Sequence, residues 1–186
     1  MLLLTKAVFA IMVGFLFSVV LGLILLPLLR KLKVGQRISS YVGYSHRMKE
    51  GTPTMGGLIF IIPTVLITIG LLITDKIPYS DNIAIVLVVF LGFAIIGFLD
   101  DFLSLKKHNN EGLTTYQKLL GQVIISTIFF YIYMKNGGQT SFVVGTLGID
   151  IELTWLYGLF ILFILIGASN AVNLTDGLDG LAGSLS

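Results

Sequence analysis

Long apolar segments alternate with short polar segments along the chain. Five apolar segments are long enough to cross a hydrocarbon core of roughly 30 Å as helices that rise about 1.5 Å per residue. They cover residues 7–29, 55–73, 83–99, 119–134 and 153–169. The pattern predicts an all-α polytopic membrane protein of about five transmembrane helices, with residues 1–186 forming a single membrane domain.

Two segments need a separate interpretation: the polar segment between the last two spans, and the first apolar segment. Residues 136–152 hold two short alternating stretches joined near Gly145 and Gly148, which predicts a small extracellular β-hairpin. The apolar segment at residues 7–29 is longer than the apolar region of a signal peptide, and no small-residue cleavage pattern follows it. We therefore expect the first segment to be a retained anchor.

Composition supports the membrane class and excludes several chemistries. Apolar residues make up 55% of the chain and charged residues 12%, about half the usual charged share of a soluble domain. The chain has no cysteine, which excludes disulfides, thiolate nucleophiles and cysteine-ligated metals within it. Its two histidines, His46 and His108, are too far apart to indicate a zinc site. Nothing in the pattern indicates a nucleic-acid partner.

The lysines and arginines predict the orientation in the membrane. Nine of the twelve lie after the first and third apolar segments, and three lie on the other side: Lys6, Lys76 and Lys135. Because cytoplasmic loops carry the excess of basic residues, the first and third loops are expected in the cytoplasm and the N-terminus outside.

An acidic pair, Asp100–Asp101, follows the third apolar segment. Adjacent carboxylates repel each other, and a helix C-terminus already carries partial negative charge. The pair therefore favours a compensating cation, and Mg²⁺ is the natural candidate because it binds through one or two carboxylates plus substrate phosphates. The alternative interpretation is a solvated loop start in which Asp101 caps a following turn.

A second polar cluster lies after the fifth segment. Four amide or carboxylate side chains recur there every three residues: Asn170, Asn173, Asp176 and Asp179. A helical stretch would place them on roughly one face, and three interleaved glycines would allow close approach of a ligand. This arrangement favours a polar ligand pocket. The alternative makes Asp176 a helix cap and the glycines a packing seam.

A third cluster leads into the second segment, over residues 45–57. Lys49 is suited to phosphates, Thr52 and Thr54 offer hydroxyls, and the glycines expose backbone N–H groups. The cations alone are also explained by the positive-inside bias. Lys118 is similarly open to two interpretations, a snorkelling anchor or a phosphate contact.

The predicted topology places all three clusters on the same membrane side. Carboxylates, amides and cations at one surface indicate phosphate chemistry with a divalent metal, which depends mainly on electrostatic positioning. Two other classes remain as alternatives. A cation transporter would place ionisable residues within the spans, whereas here they lie at span ends. A non-catalytic membrane scaffold would not explain why amide and carboxylate side chains recur every three residues after the fifth segment.

The chain resembles the polyprenyl-phosphate N-acetylhexosamine-1-phosphate transferases. The resemblance covers essentially the whole chain and rests on Lys49 with residues 51–57 and on residues 98–101, 113–118 and 170–182. The Thr-Pro-Thr-Met-Gly-Gly form of residues 52–57 resembles the muramoyl-pentapeptide branch of the family rather than its GlcNAc-phosphate relatives.

The resemblance implies a reaction, a metal and partners. Undecaprenyl phosphate would attack UDP-N-acetylmuramoyl-pentapeptide in the presence of Mg²⁺, giving lipid I and UMP in peptidoglycan synthesis. The alternative within the family is transfer of GlcNAc-1-phosphate to the same lipid. The resemblance also implies a homodimer in the bacterial cell membrane, with its active site facing the cytoplasm.

The resemblance also assigns roles to individual residues. Asp100, Asp101 and Asp176 would form the catalytic centre and hold Mg²⁺, with Asp100 activating the lipid phosphate. Direct displacement and a covalent aspartyl-phosphate both remain open. The residues expected to contact substrate are Lys49, Thr52, Thr54, Lys118, Asn170, Asn173 and Asp179.

Length sets one further expectation. Family members have about ten spans, whereas residue 186 lies inside an apolar segment. The chain is therefore expected to be the N-terminal half of a ten-span transferase and to be inactive alone, since further catalytic residues are expected downstream.

Overall fold

The structure, a computed structural model, describes residues 2–31, 54–107, 112–146 and 148–175. Within these ranges lie five helices and one two-stranded sheet. In chain order they are α1 (Leu2–Lys31), α2 (Leu58–Ile73), α3 (Asp81–Lys107), α4 (Thr115–Lys135), β1 (Ser141–Val144), β2 (Ile149–Glu152) and α5 (Leu156–Thr175). The predicted all-α membrane architecture with a small hairpin is confirmed.

Four of these helices, α1, α3, α4 and α5, are long and apolar enough to cross a membrane. The apolar helix α2 has 16 residues, and its rise of about 24 Å is somewhat less than a typical hydrocarbon core. Apolar side chains are widely exposed, as for Phe163 in α5, which is 78% exposed. Such exposure is expected of helices whose apolar surface is covered by lipid, and the chain is a multi-pass membrane protein.

Helix boundaries differ from the predicted ones where polar residues continue a helix. Helix α3 runs eight residues beyond Leu99, to Lys107, so Asp100 and Asp101 lie inside it. The interpretation of this pair as a loop start is therefore wrong. Helix α4 begins at Thr115 rather than near residue 119.

The earlier start of α4 is explained by a capping box. The Thr114 hydroxyl accepts a hydrogen bond from the Gln117 N–H at 3.2 Å, and the Gln117 side chain accepts one from the Thr114 N–H at 3.0 Å. The two bonds satisfy donors that a helix N-terminus otherwise leaves unpaired. The spacing Thr-x-x-Gln is the sequence signal of this cap.

The chain divides into two compact units. Unit one comprises Met1–Ser80 and Gly97–Leu113, and unit two comprises Asp81–Ile96 and Thr114–Ser186. In unit one α1 packs against α2, with Gly22 beside Ile59 and Gly14 beside Ile67. A methyl group on Gly22 would lie 3.4 Å from the Ile59 side chain. Small residues thus bring the two helices together, as is typical within membranes.

Unit two is built around α4 and α5, which pack together. The hairpin that joins them is antiparallel, with Phe142 opposite Ile151 and Val144 opposite Ile149. Gly148 in its turn has a φ of +61°, a left-handed conformation that glycine adopts without steric cost.

Candidate active site

The acidic pair of unit one lies about two turns before the end of α3, and each carboxylate accepts a backbone N–H from another segment. Asp101 Oδ2 accepts from the Met55 N–H, with 2.9 Å between nitrogen and oxygen. Asp100 Oδ1 accepts from the Leu113 N–H, also at 2.9 Å. The pair therefore links α3 to the segment that opens α2 and to the segment that precedes α4.

These hydrogen bonds explain part of how two adjacent carboxylates are tolerated. The unfavourable field of a helix C-terminus is confined to the last turn, so it acts less on this pair than the sequence suggested. Hydrogen bonds to charged groups each contribute roughly 1.5–3 kcal/mol. The amides carry only partial charges, however, and do not neutralise the pair. The electrostatic preference for a cation beside Asp100 and Asp101 remains.

The Met55 turn presents its N–H to Asp101 through an uncommon backbone conformation. Met55 has a φ of +66°, a region that costs a non-glycine residue about 1–2 kcal/mol. The turn then tightens into α2 through the Leu58 N–H, which donates to the Met55 carbonyl at 3.2 Å, and the Ile59 N–H, which donates to the Gly56 carbonyl at 3.1 Å. Strained residues of this kind concentrate at functional sites.

Thr54, immediately before this turn, was predicted to contact substrate. Its hydroxyl oxygen is buried and has no hydrogen-bond partner among the described residues. A buried hydroxyl without a partner costs roughly 1–3 kcal/mol. The geometry is therefore consistent with a hydroxyl that bonds to a ligand.

Gly112 lets the chain pass close to Asp100. A methyl group at this position would lie 2.5 Å from both the backbone oxygen and Oδ1 of Asp100. Such a distance is not tolerated, so glycine is needed for the Leu113 N–H to reach the carboxylate. The role of Gly112 could not be predicted from the sequence, because a close backbone approach leaves no chemical signal there.

The donor set of unit one suits Mg²⁺ only in part. The described residues contain no group of three His, Cys, Asp or Glu side chains placed to hold a metal. Two carboxylates remain, and each has about four acceptor sites, so one amide bond apiece leaves capacity for a cation. Mg²⁺ commonly binds through one or two carboxylates together with phosphates. Asp100 and Asp101 fit that mode, whereas the third predicted ligand, Asp176, lies outside the described residues.

In unit two a buried amide ties α4 to α5. Gln122 is 2% exposed; its Nε2 donates to the Ser169 hydroxyl at 3.2 Å, and its Oε1 accepts from Asn170 Nδ2 at 2.9 Å. Asn170 Nδ2 also donates to the Ile166 carbonyl at 2.8 Å. The side chain of Asn170 thus takes part in a helix–helix contact, and its predicted role in substrate binding stays a prediction.

The other predicted site residues of unit two lie at helix ends. Lys118 is in the first turn of α4 and is partly buried, and Asn173 is exposed in the last turn of α5. Four predicted residues lie outside the described residues: Lys49, Thr52, Asp176 and Asp179. The structure therefore brings Thr54, Asp100 and Asp101 into one compact unit, and Lys118, Asn170 and Asn173 into the other.

Comparison with protein families gives two matches. Residues 83–186 match the model of glycosyl transferase family 4. Residues 49–61 match a signature of phospho-N-acetylmuramoyl-pentapeptide-transferase, and this range contains Thr54 and the Met55 turn.

Curated relatives agree with these matches. The chain is 44% identical over 174 residues to the phospho-N-acetylmuramoyl-pentapeptide-transferase of Bacillus subtilis, covering 93% of this chain and 53% of the relative. It is 45% identical over 175 residues to that of Geobacillus kaustophilus, covering 94% and 53%. Identity to the Oceanobacillus iheyensis protein is 42% over 180 residues, covering 96% and 55%.

The chain thus spans about half the length of the curated relatives it matches. The resemblance drawn from its motifs is confirmed. Because the family model covers more than half of the chain, the chain belongs to glycosyl transferase family 4.

Proposed function

We propose that the chain is the N-terminal half of a membrane enzyme that transfers phospho-N-acetylmuramoyl-pentapeptide from its UDP-linked donor to undecaprenyl phosphate. The products are lipid I and UMP. The observation that carries this proposal is the hydrogen bond between the Met55 N–H and Asp101 Oδ2. It joins the muramoyl-pentapeptide-transferase signature to an acidic pair 46 residues further along the chain.

The proposed reaction is a displacement at phosphorus. A phosphate oxygen of undecaprenyl phosphate bonds to the β-phosphorus of the donor, and the bond between that phosphorus and the bridging oxygen of UMP breaks. Asp100 is the residue proposed to activate the lipid phosphate, by accepting its proton where one is bound. Its hydrogen bond to the Leu113 N–H supports this role, because it fixes the orientation of the carboxylate.

Asp100 and Asp101, together with Asp176, are the residues proposed to hold Mg²⁺. When bound there, Mg²⁺ would supply positive charge that offsets the negative charge of the diphosphate. Asp101 has a second role in this proposal. By accepting the Met55 N–H it holds the signature segment beside the acidic pair, and so keeps Thr54 near the substrate.

The remaining predicted site residues are proposed to contact the donor. Lys49, Thr52, Thr54 and Lys118 would bind the phosphates or sugar, and Asn170, Asn173 and Asp179 the nucleotide region. The exposed position of Asn173 at the end of α5 supports this. We place this site at the cytoplasmic face, because the basic residues predict that orientation, and we propose a homodimer.

Donor selection tests the proposal directly. The complete ten-span protein, purified in detergent with Mg²⁺ and undecaprenyl phosphate, is expected to release UMP from UDP-N-acetylmuramoyl-pentapeptide and not from UDP-GlcNAc. Preference for UDP-GlcNAc would contradict the proposal and support GlcNAc-1-phosphate transfer. The 186-residue chain alone is expected to form no lipid I; synthesis by it, free of full-length protein, would refute the expected dependence on a second half.

A further inference from the structure

The hairpin of unit two has two chemically different faces. In an antiparallel pair, residues directly opposite each other point to the same side, and successive residues point to opposite sides. The pair Phe142–Ile151 and Val144 therefore share one face, which is apolar. The other face carries Ser141, Asp150 and Glu152, with Val143 as its apolar exception.

The apolar face turns toward the flank of α5 rather than away from it. The rings of Phe142 and Phe160 meet edge to face, with 5.3 Å between their centroids. Phe160 lies four residues after the start of α5 at Leu156, which is about 6 Å along the helix axis. The hairpin thus folds back alongside the first turns of α5, at the level where this membrane-spanning helix begins.

Helix packing leaves much of this face uncovered. Phe142 is 38% exposed and Ile151 is 49% exposed. On α5, close to Phe160, Leu159 and Phe163 are also exposed. The apolar face of the hairpin therefore continues the exposed apolar surface of this helix. A two-stranded hairpin is only marginally stable by itself in water, and a covering phase would stabilise it.

We propose that this hairpin is a membrane-interface anchor whose apolar face, formed by Phe142, Val144 and Ile151, rests in the lipid headgroup region. Three observations favour lipid over a protein partner. The apolar face of the hairpin is continuous with the exposed apolar surface of α5, and the Phe142–Phe160 contact holds it level with the first turns of that helix. The opposite face of the hairpin is acidic, with Asp150 and Glu152. Residues 136–152 contain no lysine or arginine. Binding is therefore apolar rather than electrostatic and is expected to be insensitive to salt.

A pair of labelled positions tests the anchor without any assay of activity. Ile151 and Asp150 are neighbours in β2 on opposite faces, and both are exposed, so a label at either leaves the packing intact. The chain has no cysteine, so Ile151→Cys and Asp150→Cys each carry a single fluorescent label. Each variant is placed in phosphatidylcholine vesicles. Quenching is then measured with lipids that carry a shallow nitroxide and, separately, with aqueous iodide.

The anchor predicts that the nitroxide lipid quenches the label at 151 at least about threefold more than the label at 150, with the reverse order for iodide. Equal quenching of the two labels by iodide would overturn the proposal, because the hairpin would then stand in water. Protection of the 151 label from both quenchers would also overturn it, since protein would then cover the face. The unlabelled substitution Phe142→Ser, added to the Ile151→Cys variant, is expected to raise iodide quenching at 151; no change would count against the anchor.

Discussion

Gly112 offers the sharpest test of how the acidic pair is held. In Gly112→Ala the new methyl group would lie 2.5 Å from the backbone oxygen and Oδ1 of Asp100, and must move by at least about half an ångström to reach a tolerated contact. The backbone oxygen belongs to α3 and cannot move aside as a flexible side chain can. The segment before α4 must therefore shift, which pulls the Leu113 N–H away from Asp100.

The cost follows from the bond that is lost. A hydrogen bond to a charged acceptor contributes roughly 1.5–3 kcal/mol. If the bond orients Asp100 for reaction, a loss of that size corresponds to a fall in kcat of about 10- to 150-fold. We therefore expect Gly112→Ala to lower kcat by one to two orders of magnitude and to lower the melting temperature.

The matched control is Gly97→Ala in the same helix as Asp100. A methyl group at Gly97 meets nothing within 4 Å, and replacing a glycine inside a helix stabilises by roughly 0.5–1 kcal/mol. Both variants are made in the complete protein, with UMP release measured for activity and thermal unfolding in detergent for stability. Wild-type kcat and stability in Gly112→Ala would refute the reasoning.

Two further predictions concern Thr54 and Gln122. Because the Thr54 hydroxyl has no partner among the described residues, Thr54→Val should leave the melting temperature unchanged or raise it. The same substitution should raise the KM for the UDP-linked donor about tenfold, the effect of one lost hydrogen bond to substrate. An unchanged KM would show that Thr54 does not contact the donor. Hydrogen bonds between membrane helices contribute about 0.6 kcal/mol on average, so Gln122→Met should lower the free energy of unfolding by about 1–2 kcal/mol. Ser126→Ala is its control, since that fully buried hydroxyl has no partner in the described part of the chain; equal unfolding energies would show that the Gln122 bonds do not stabilise the fold.

The sequence predicted the spans and the hairpin because both depend on periodicity. A run of apolar residues is read directly as a membrane helix, and two alternating stretches with Gly145 and Gly148 between them are read as a hairpin. Helix ends were less predictable, because polar residues such as Asp100 can continue a helix when other groups bond to them. The capping box at Thr114 and Gln117 had a recognisable spacing and was overlooked.

The candidate site was only partly predictable. The acidic pair and the signature segment were recognised by residue type, but the hydrogen bond from Met55 to Asp101 was not, since a backbone N–H has no signature in the sequence. Gln122 did carry a signal. A single amide within an apolar span must find a partner there, and its partners are Ser169 and Asn170 on the neighbouring helix.

The rate of UMP release by Asp100→Asn in the complete protein tests the central claim most directly. Asparagine retains an oxygen that accepts the Leu113 N–H but removes the negative charge, which weakens this hydrogen bond and also relieves the repulsion from Asp101. Insertion should therefore be unaffected and the melting temperature should change little. We predict that turnover falls by roughly two orders of magnitude or more, in the range of a lost proton-transfer group. Turnover at the rate of the unsubstituted protein would contradict the assignment of Asp100 to the catalytic centre.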